Sequence, residues 1–582
     1  MGTQDLRARA LLWAERIRSL GLPAYAGLCL LCCAMGGLIA WRMPALFGQP
    51  YRVDIFYHQF MVHEGPGALL TAAIVAMAFG LAAVVSTQRV ESCVRYFGER
   101  PIPIAVLAFF VFAAGTIVVY QNYPLAMDEY ANSFQAQVFA EGEVYGQFPP
   151  ELVQRLIPPQ FLNRTFLGAS LASGKVLSTY QPGYALLLAP FMKLGVPWAL
   201  NPLLSALTLL LIWHLARRLS DDPLVPGWAV LLTLASPIIA VNAISYYSSA
   251  AHLCLNLAFM ALLLERTVPR LIVAGVLGSI ALTLQQPVSH GLFALPWMVW
   301  LLRRWEWKSL GTLAAGYVPL AFGVGLGWLR VRSVIDAENA AAGLVPTVGP
   351  VPPAAAEQST PILGEVLAFF SILQVPDLEL LIVRLLACLK LFFWAMPGLP
   401  ILALLGALAL GRVDARVRMP FRLLGWSALV TFGFYFFVQF SQGHGWGYRY
   451  FHPAWAVLPL FGALALSRSE GRSGAWRRTL GLMALVSLVL GTAVRFEQVH
   501  RFIEGHRAQA ATADGAVRQV RFVDVRNGYY TQDLVHNDPF LRGPVWTFVS
   551  FGREADAALV QQLFPGARLA VERGDSTAWV IE

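Results

Sequence analysis

Residues 24–41 read AYAGLCLLCCAMGGLIAW, an uninterrupted run of apolar and small residues without a charged side chain. About 20 such residues are needed to cross the hydrocarbon core of a bilayer, so this run predicts a membrane-spanning helix. An arginine-bearing segment precedes the run and further apolar runs follow it. We therefore interpret it as a retained first span and not as a cleaved signal peptide.

Apolar runs of similar length recur along most of the chain. The chain has 582 residues, of which 57% are hydrophobic and 13% are charged, and its mean hydropathy is +0.57. Soluble domains carry about 25% charged residues, so this composition excludes an ordinary water-soluble protein. The runs predict a polytopic α-helical membrane protein with about thirteen spans, which we place at residues 24–42, 66–87, 102–120, 199–216, 228–243, 249–265, 270–284, 288–302, 309–329, 392–411, 421–440, 453–468 and 476–495.

The basic residues indicate how these spans are oriented. Lys and Arg concentrate in short stretches that all face the cytoplasm if the N-terminus is cytoplasmic, which is the side on which basic loops are retained. These stretches include Arg217, Arg218, Arg303, Arg304, Arg477 and Arg478. Membrane topology thus accounts for the formal net charge of +9 without a nucleic-acid partner.

This orientation sets the expected domain organisation. Three regions lie outside the membrane: residues 121–198, 330–391 and 496–582. We divide the chain into an N-terminal cytoplasmic segment with two extra spans (1–100), a transmembrane module (101–495) and a soluble extracytoplasmic α/β domain (496–582). The second outer region contains AENAAAGLVPTVGPVPPAAAEQSTP, from Ala337, whose composition fits either a linker or a lid.

The C-terminal domain is expected to contain both strands and a helix. VRQVRFVDV (517–525) and TAWVIE (577–582) have the composition of strands, and READAALVQQLF, from Arg553, has helical spacing. No cysteine follows Cys388, so the domain has no disulfide framework. The domain either covers a site at the membrane or acts as a stabilising module, and the sequence does not separate these alternatives.

The segment QNYPLAMDEYANSFQAQVFAEGEVYGQFPP (121–150) carries the most informative polar residues. It places two adjacent carboxylates, Asp128 and Glu129, just outside the third predicted span. Ionisable groups at the membrane are costly and are often functional, and a carboxylate held there can act as a general base. The alternative is that Asp128 caps a helix that starts at Glu129.

Four segments together resemble a known family. They are STYQPGYALLLAPFMKLGVPWALNPLLSALTLLLIWHLARRL (178–219), SPIIAVNAISYYSSAAHLCLNLAFM (236–260), QQPVSHGLFALPW (285–297) and GHGWGYRYFHPAWAVLPL (443–460). With the acidic pair before them, their order resembles the GT-C glycosyltransferases, especially the bacterial branch related to protein O-mannosyltransferases and the lipid A aminoarabinose transferase. The resemblance covers about residues 100–495 and consists of loose patterns.

The resemblance implies an activity and a location. It implies transfer of a sugar from a polyprenyl-phosphate donor to an extracytoplasmic lipid, glycan or protein, with inversion at the anomeric carbon. It also implies a bacterial inner membrane, with membrane lipids around the spans and a periplasmic C-terminal domain. Asp128 matches the family's first-loop acidic residue and is the expected base, with Glu129 as a helper or a metal-side carboxylate.

Cations are expected around the phosphate of such a donor. Arg449 matches a family arginine, and a guanidinium can hold phosphate oxygens in a bidentate fork, although snorkelling to lipid headgroups is the alternative. Lys175, Arg384 and Lys390 are weaker candidates for which snorkelling is equally reasonable. Related aminoarabinose transferases place a lysine where this chain has Gln181, and Lys175 is a candidate to replace it.

Polar and aromatic residues near these segments are candidates to line a substrate cavity. They are Tyr130, Tyr180, Gln181, Tyr247, His252, His444, Trp446 and Tyr448. His252 is as easily explained as a packed residue, and the aromatic residues as an interfacial belt. His290, His444 and His452 make a divalent cation conceivable, but their spacing contains no recognisable ligand set, so we assign no metal.

Two other functions compete with glycosyl transfer. A transporter or flippase also needs many helices, but it is expected to show repeated halves, or broken helices with ionisable residues near the bilayer midplane. A membrane sensor that uses the C-terminal domain as a receptor leaves the Asp128 segment without a role. No cytoplasmic region is large enough for a nucleotide-sugar site, which favours a lipid-linked donor.

Overall fold

The computed structural model describes residues 3–47, 54–162, 165–343, 372–412, 414–467, 473–513, 518–526, 530–574 and 576–581. Helices dominate this part of the chain. In chain order the α-helices are α1 Thr3–Phe47, α2 Ile55–Gln59, α3 Gly65–Ala82, α4 Thr87–Glu99, α5 Pro101–Val118, α6 Met127–Ala140, α7 Val153–Leu156, α8 Gly183–Lys193, α9 Leu200–Arg218, α10 Val225–Leu234, α11 Pro237–Ile244, α12 Ser249–Leu263, α13 Val268–Leu282, α14 Val288–Arg303, α15 Trp307–Leu320, α16 Gly327–Ala341, α17 Leu378–Trp394, α18 Leu399–Leu408, α19 Ala415–Phe436, α20 Val457–Ser467, α21 Ser473–Val486, α22 Thr492–Arg507 and α23 Arg553–Leu563.

Shorter helical turns link several of these helices. The π-helical segments are Phe60–Glu64, Ala321–Leu326 and Ser487–Gly491, and the 3₁₀ segments are Pro150–Leu152, Pro197–Ala199, Ala409–Arg412, Arg449–Ala454 and Thr531–Leu534. The π-helical segments join α2 to α3, α15 to α16 and α21 to α22 without a break. These three helix pairs therefore form long continuous rods.

The prediction of a polytopic α-helical membrane protein is confirmed, but the count of thirteen spans is not. Among the described residues, six helices are long and apolar enough to cross a membrane. They are Gly21–Ala45, Ile55–Ala82, Pro101–Val118, Pro197–Arg218, Trp307–Ala341 and Gly474–Arg507. Two bent helix pairs raise the number to eight if each pair is one span, and other apolar helices are shorter.

The bent pairs explain part of the difference from the predicted spans. The predicted span 228–243 is divided between α10 and α11, which meet at 60°. Ser236 precedes Pro237 and has an extended backbone, because a residue before proline is disfavoured in the helical region. The second bend, of 96°, separates α17 from α18 and contains Gly398 with a φ of 72°.

The region 330–391, predicted as an outer loop, begins and ends in helix. Helix α16 extends to Ala341, and α17 begins at Leu378. Residues 344–371, which include most of the alanine- and proline-rich segment, lie outside the described residues.

The C-terminal strands form the predicted small sheet. In chain order the strands are β1 Gly146–Gln147, β2 Leu167–Ala169, β3 Lys175–Ser178, β4 Gln519–Val523, β5 Val545–Val549, β6 Arg568–Arg573 and β7 Ser576–Val580. The order in the C-terminal sheet is β5-β4-β7-β6, in which β4 and β5 are parallel and the other pairs are antiparallel. The first polar loop carries an antiparallel sheet of order β1-β3-β2.

The C-terminal sheet packs against the polar loop that follows α5. One hydrophobic cluster contains Phe134 of α6, Phe148 of the loop, and Phe522 and Phe548 of the sheet. The rings of Phe522 and Phe548 stack at a centroid distance of 5.4 Å. Because this core is shared, the C-terminal sheet is held directly above α6 and the residues at its start.

Candidate active site

Asp128 lies in the first turn of α6 and is held by side chains from three other segments. Its Oδ1 accepts hydrogen bonds from the Tyr180 hydroxyl and, at 3.1 Å, from the Gln285 amide. Its Oδ2 lies 2.9 Å from Nη1 of Arg449. The helix begins at Met127, with Ala126 as its N-cap residue, so Asp128 is not the cap. Its carboxylate instead joins a polar cluster of distant residues.

Arg449 is the cationic half of this cluster. The side chains of Arg449 and Asp128 are 15% and 13% exposed, so the pair is mostly shielded from solvent. The guanidinium lies over the rings of Tyr247 and Tyr450, at 5.1 Å and 5.8 Å from their centroids. Its Nε is buried and has no hydrogen-bond partner among the described residues. Arg449 therefore holds Asp128 and keeps a donor for another acceptor.

The Pro-Gly turn brings two of the resembling segments side by side. The backbone N–H of Gly183 donates to Thr283 O at 2.6 Å, and that of Gln181 donates to Gln285 O at 3.2 Å. A Cβ on Gly183 would lie 2.5 Å from Thr283 O, so only glycine permits this approach. The turn thus fixes Tyr180 and Gln285 on the Oδ1 side of Asp128.

Glu129 has a different environment from its neighbour. It is fully buried and accepts hydrogen bonds from the backbone N–H groups of Leu125 (2.8 Å), Ala126 (3.2 Å) and Tyr246 (2.7 Å) and from the Tyr120 hydroxyl (2.9 Å). Burial raises the pKa of Glu129 to about 7, and these hydrogen bonds oppose the rise. The carboxylate anchors the start of α6 to the turn after α11.

Lys390 lies in α17 and is buried with few partners. Its Nζ donates to Gln59 Oε1 at 3.4 Å and lies 5.1 Å from the ring centroid of Phe56. Nε2 of Gln59 is buried and has no partner among the described residues. A buried ammonium with a single long hydrogen bond provides a place for an anion.

Arg384 is a predicted phosphate ligand that instead donates to three backbone carbonyls. It donates through Nε to Phe436 O at 3.3 Å, and through Nη2 to Val438 O and, at 2.8 Å, to Phe440 O. These carbonyls belong to the last residue of α19 and to the segment after it, where backbone acceptors lack helical partners. The side chain is buried and serves as a helix C-terminal cap.

Lys175 is engaged elsewhere as well. Its Nζ pairs with Glu338 at 2.5 Å and lies 5.5 Å from the Tyr145 ring centroid. The side chains of Lys175 and Glu338 are 34% and 26% exposed. No described contact joins Lys175 to the cluster around Asp128.

The predicted cavity residues fall into three groups. Tyr180 and Tyr247 contact the Asp128–Arg449 pair directly. Trp446 connects to Glu129 because its Nε1 donates to the Tyr120 hydroxyl at 3.3 Å. The other predicted cavity residues are Gln181 in the Pro-Gly turn, Tyr130 against the C-terminal domain, His444 beside Asp533, and the buried Tyr448 and His252.

The histidines do not assemble a metal site in the part of the chain that is described. Among those residues, no group of three or more His, Cys, Asp or Glu side chains is arranged to hold a metal ion. Both ring nitrogens of His290 are engaged, by Asn256 at 2.7 Å and by Tyr317 at 2.5 Å. We therefore derive no catalytic step through a metal.

Sequence reasoning missed the contribution of the segment before α3. Glu64 is buried beside Arg495, with Oε2 and Nη2 3.1 Å apart, and its Oε1 accepts a hydrogen bond from Trp394 Nε1 at 2.7 Å. Gln59, one helical turn earlier, faces Lys390. The structure extends this span back to Ile55, and the predicted span began only at residue 66, so the buried charge of Glu64 was left outside it.

Comparison with protein-family models and with curated proteins finds no match. Among solved structures, the chain is similar to ArnT from Cupriavidus metallidurans bound to undecaprenyl phosphate, with 13% sequence identity and a TM-score of 0.49. The aligned region covers 82% of this chain and 97% of that one. The apo form of the same protein gives 13% identity, a TM-score of 0.44 and coverage of 82% and 96%. Similarity at this level is not evidence of a shared activity.

Proposed function

We propose that this chain is a GT-C-type membrane glycosyltransferase. It transfers a sugar from a polyprenyl-phosphate donor to an extracytoplasmic lipid, glycan or protein acceptor, with inversion at the anomeric carbon. The observation that carries the proposal is the shielded pair formed by Asp128 and Arg449. This pair places a proton acceptor and a phosphate-binding cation side by side, as a single displacement of a lipid phosphate requires.

In the proposed reaction, Asp128 takes the proton of the acceptor hydroxyl or amine. The acceptor atom forms a bond to the anomeric carbon while the bond between that carbon and the phosphate oxygen breaks. The electron pair of the broken bond leaves with the lipid phosphate. Arg449 stabilises the negative charge that develops there, because a buried guanidinium needs no reorganisation to do so.

Donor binding also frees the base in this proposal. Without a donor, Oδ2 of Asp128 is occupied by Nη1 of Arg449. A donor phosphodiester presents two anionic oxygens that match the guanidinium fork, so it competes with Asp128 for Arg449. When Arg449 turns to the phosphate, Oδ2 becomes free to accept the proton of the second substrate. We therefore expect an ordered reaction in which the donor binds first.

Lys390 and Gln59 complete the proposed phosphate site. The buried ammonium of Lys390 and the unpartnered amide of Gln59 lie together. A phosphate bound there satisfies these spare donors. Glu129 has a supporting role, since its oxygens already accept four hydrogen-bond donors.

The proposed orientation places this site on the extracytoplasmic side of a bacterial inner membrane, with the N-terminus cytoplasmic and the C-terminal domain periplasmic. Residues 1–100 form an N-terminal unit with two extra spans, residues 101–495 the catalytic membrane module, and residues 496–582 the extracytoplasmic domain.

The decisive experiment is sugar transfer by the purified full-length protein from a panel of polyprenyl-phosphate sugars to membrane extracts. We expect Asp128→Asn to abolish transfer while donor binding is retained. Asp221→Asn, which changes an exposed carboxylate in the turn between α9 and α10, is the matched control and is expected to leave transfer unchanged. Full activity of Asp128→Asn would show that another group is the base.

Transport of a lipid-linked or glycan substrate is the second candidate function. The bent helix pairs, together with the buried Lys390 in one of them, favour it because broken helices and intramembrane charges are features of transporters. In sealed vesicles that contain the protein, a transporter moves a fluorescent lipid-linked sugar between leaflets without covalent change. A transferase instead releases the free polyprenyl phosphate.

A further inference from the structure

The C-terminal domain reaches the site through residues 530–541, which lie between β4 and β5. In this segment, Oδ2 of Asp533 lies 2.9 Å from Nε2 of His444, and both side chains are 5% exposed. The same segment contacts α6, because the Tyr130 hydroxyl donates to Asn537 O at 2.8 Å and the ring of His536 stacks on Tyr130 at 4.1 Å. The segment therefore sits between the first polar loop and the residues around Arg449.

His444 belongs to residues 442–449, which we name the glycine loop. Three of its residues have positive φ values, namely Gly443 (61°), Gly445 (146°) and Gly447 (59°). A backbone of this kind has little intrinsic preference for one conformation, so other contacts have to hold it. The loop therefore depends on its neighbours to present Arg449 in a fixed position.

Gln442 ties the loop together from inside. Its Nε2 donates to the carbonyls of Gly445 (3.2 Å) and Gly447 (2.7 Å), and its Oε1 accepts the backbone N–H of Arg449 (3.2 Å). These bonds couple the loop backbone to that of Arg449. A displacement at His444 is therefore transmitted to the arginine.

The side chain of Arg449 also rests on the loop. A Cβ built on Gly445 would lie 2.6 Å from Cδ of Arg449, so the aliphatic stem of the arginine passes directly over this glycine. Gly445 is the residue after His444. The contact from Asp533 thus fixes the loop at the point where the stem of the arginine crosses it.

We propose that Asp533 is a positioning residue, which holds His444 and the glycine loop and thereby sets how tightly Arg449 binds the donor phosphate. The inference rests on the proposed role of Arg449 and gives the C-terminal domain a function beyond covering the site. Burial raises the pKa of the Asp533 carboxyl, and the neighbouring His444 opposes that rise. The contact with His444 therefore helps to keep Asp533 charged. Asp533 acts through His444 and does not itself bind the donor.

The test is binding of undecaprenyl phosphate to the purified full-length protein. We expect Asp533→Asn and His444→Gln each to weaken binding about tenfold, and the double variant to bind no more weakly than either, as for residues that act as one unit. Asp533→Glu, which keeps the charge, is expected to recover part of the affinity. Arg542→Ala is the matched control, because it removes an exposed ion pair between this domain and Glu141 and a contact with the Phe540 ring, and neither contact involves His444 or the glycine loop.

The outcomes separate this inference from the proposed function. Thermal unfolding identifies any variant that fails to fold. If Asp533→Asn does not fold, the binding measured for His444→Gln decides the inference. If Asp533→Asn binds as wild type does while Arg449→Lys binds weakly, the inference is wrong and the function of Arg449 stands. If wild type itself does not bind the lipid phosphate, the proposed function and the inference both fail. A change confined to the KM of the acceptor also contradicts the inference.

Discussion

Nη1 of Arg449 lies 2.9 Å from Oδ2 of Asp128, although 321 positions separate the two residues in the chain. The pair therefore joins the segment after α5 to the segment before α20. Because both side chains are mostly shielded, each is the principal counter-charge of the other. In the proposed mechanism, the strength of this pair sets the availability of the base.

Substitutions of Arg449 are expected to separate charge from geometry. Arg449→Lys keeps the charge but loses the planar fork, so we expect the KM of the donor to rise about tenfold with a smaller change in kcat. Arg449→Met leaves Asp128 buried without its counter-charge, which is expected to lower the free energy of unfolding by about 3 kcal/mol. Steady-state kinetics and chemical unfolding measure the two effects. Equal donor KM values for wild type and Arg449→Lys would contradict the phosphate role.

The raised pKa of Glu129 predicts that the stability of the protein depends on pH. Its pKa in the folded protein is raised from 4.5 to about 7, so folding favours the protonated carboxyl. The stabilisation is fully present below pH 4.5 and is lost as the pH rises through about 7. We expect the thermal midpoint to fall across this range, by an amount equivalent to up to about 3 kcal/mol.

Glu129→Gln is expected to flatten this pH dependence. The amide is neutral at every pH, as the protonated carboxyl is, so the variant should be about as stable as wild type at pH 5 and should lose less stability as the pH rises through 7. Asp533, whose pKa burial also raises, leaves a residual slope of the same sign. Glu141→Gln, at an exposed position, is the control. An undiminished slope in Glu129→Gln would assign the titration to another group.

Local sequence was sufficient to predict the features that depend on neighbouring residues. Apolar runs identified a helical membrane protein, and strand and helix patterns identified the C-terminal sheet with α23. The acidic pair at the start of α6 also drew attention for local reasons. The number of spans was harder to predict, because a hydropathy pattern continues across the breaks at Pro237 and Gly398 even though the helix axes turn there.

The pairings inside the site were beyond such reasoning. Glu129 and the Tyr246 N–H are 117 positions apart, and Asp533 meets His444 across the junction of two domains. No spacing in the chain marks these contacts, because they arise when whole helices and the C-terminal sheet pack together. For the same reason, the sequence could not predict that Arg384 would bind backbone carbonyls while Lys390 would face the amide of Gln59.

The exposed pair formed by Lys175 and Glu338 is expected to contribute little. Both side chains remain partly in solvent, where an ion pair contributes about 0–1 kcal/mol. Lys175→Met should therefore bind undecaprenyl phosphate as wild type does, and it serves as a control for non-specific loss of positive charge. A loss of binding comparable to that of Arg449→Lys would place Lys175 in the donor site and would require the loop that carries β3 to move.

Lys390 and Arg384 provide the sharpest contrast, because both are buried cations in α17, and Arg384 donates to three backbone carbonyls whereas Lys390 has one long hydrogen bond. Lys390→Met removes a charge with one long hydrogen bond, so we expect unchanged or higher stability but at least about tenfold weaker binding of undecaprenyl phosphate. Arg384→Met leaves three backbone carbonyls without donors, so we expect a loss of about 2 kcal/mol or more in stability. Unfolding and lipid-phosphate titrations of the two variants in parallel measure this difference. If Lys390→Met is the destabilised variant and retains full affinity, its ammonium is structural, and the phosphate site has to be formed by Arg449 without it.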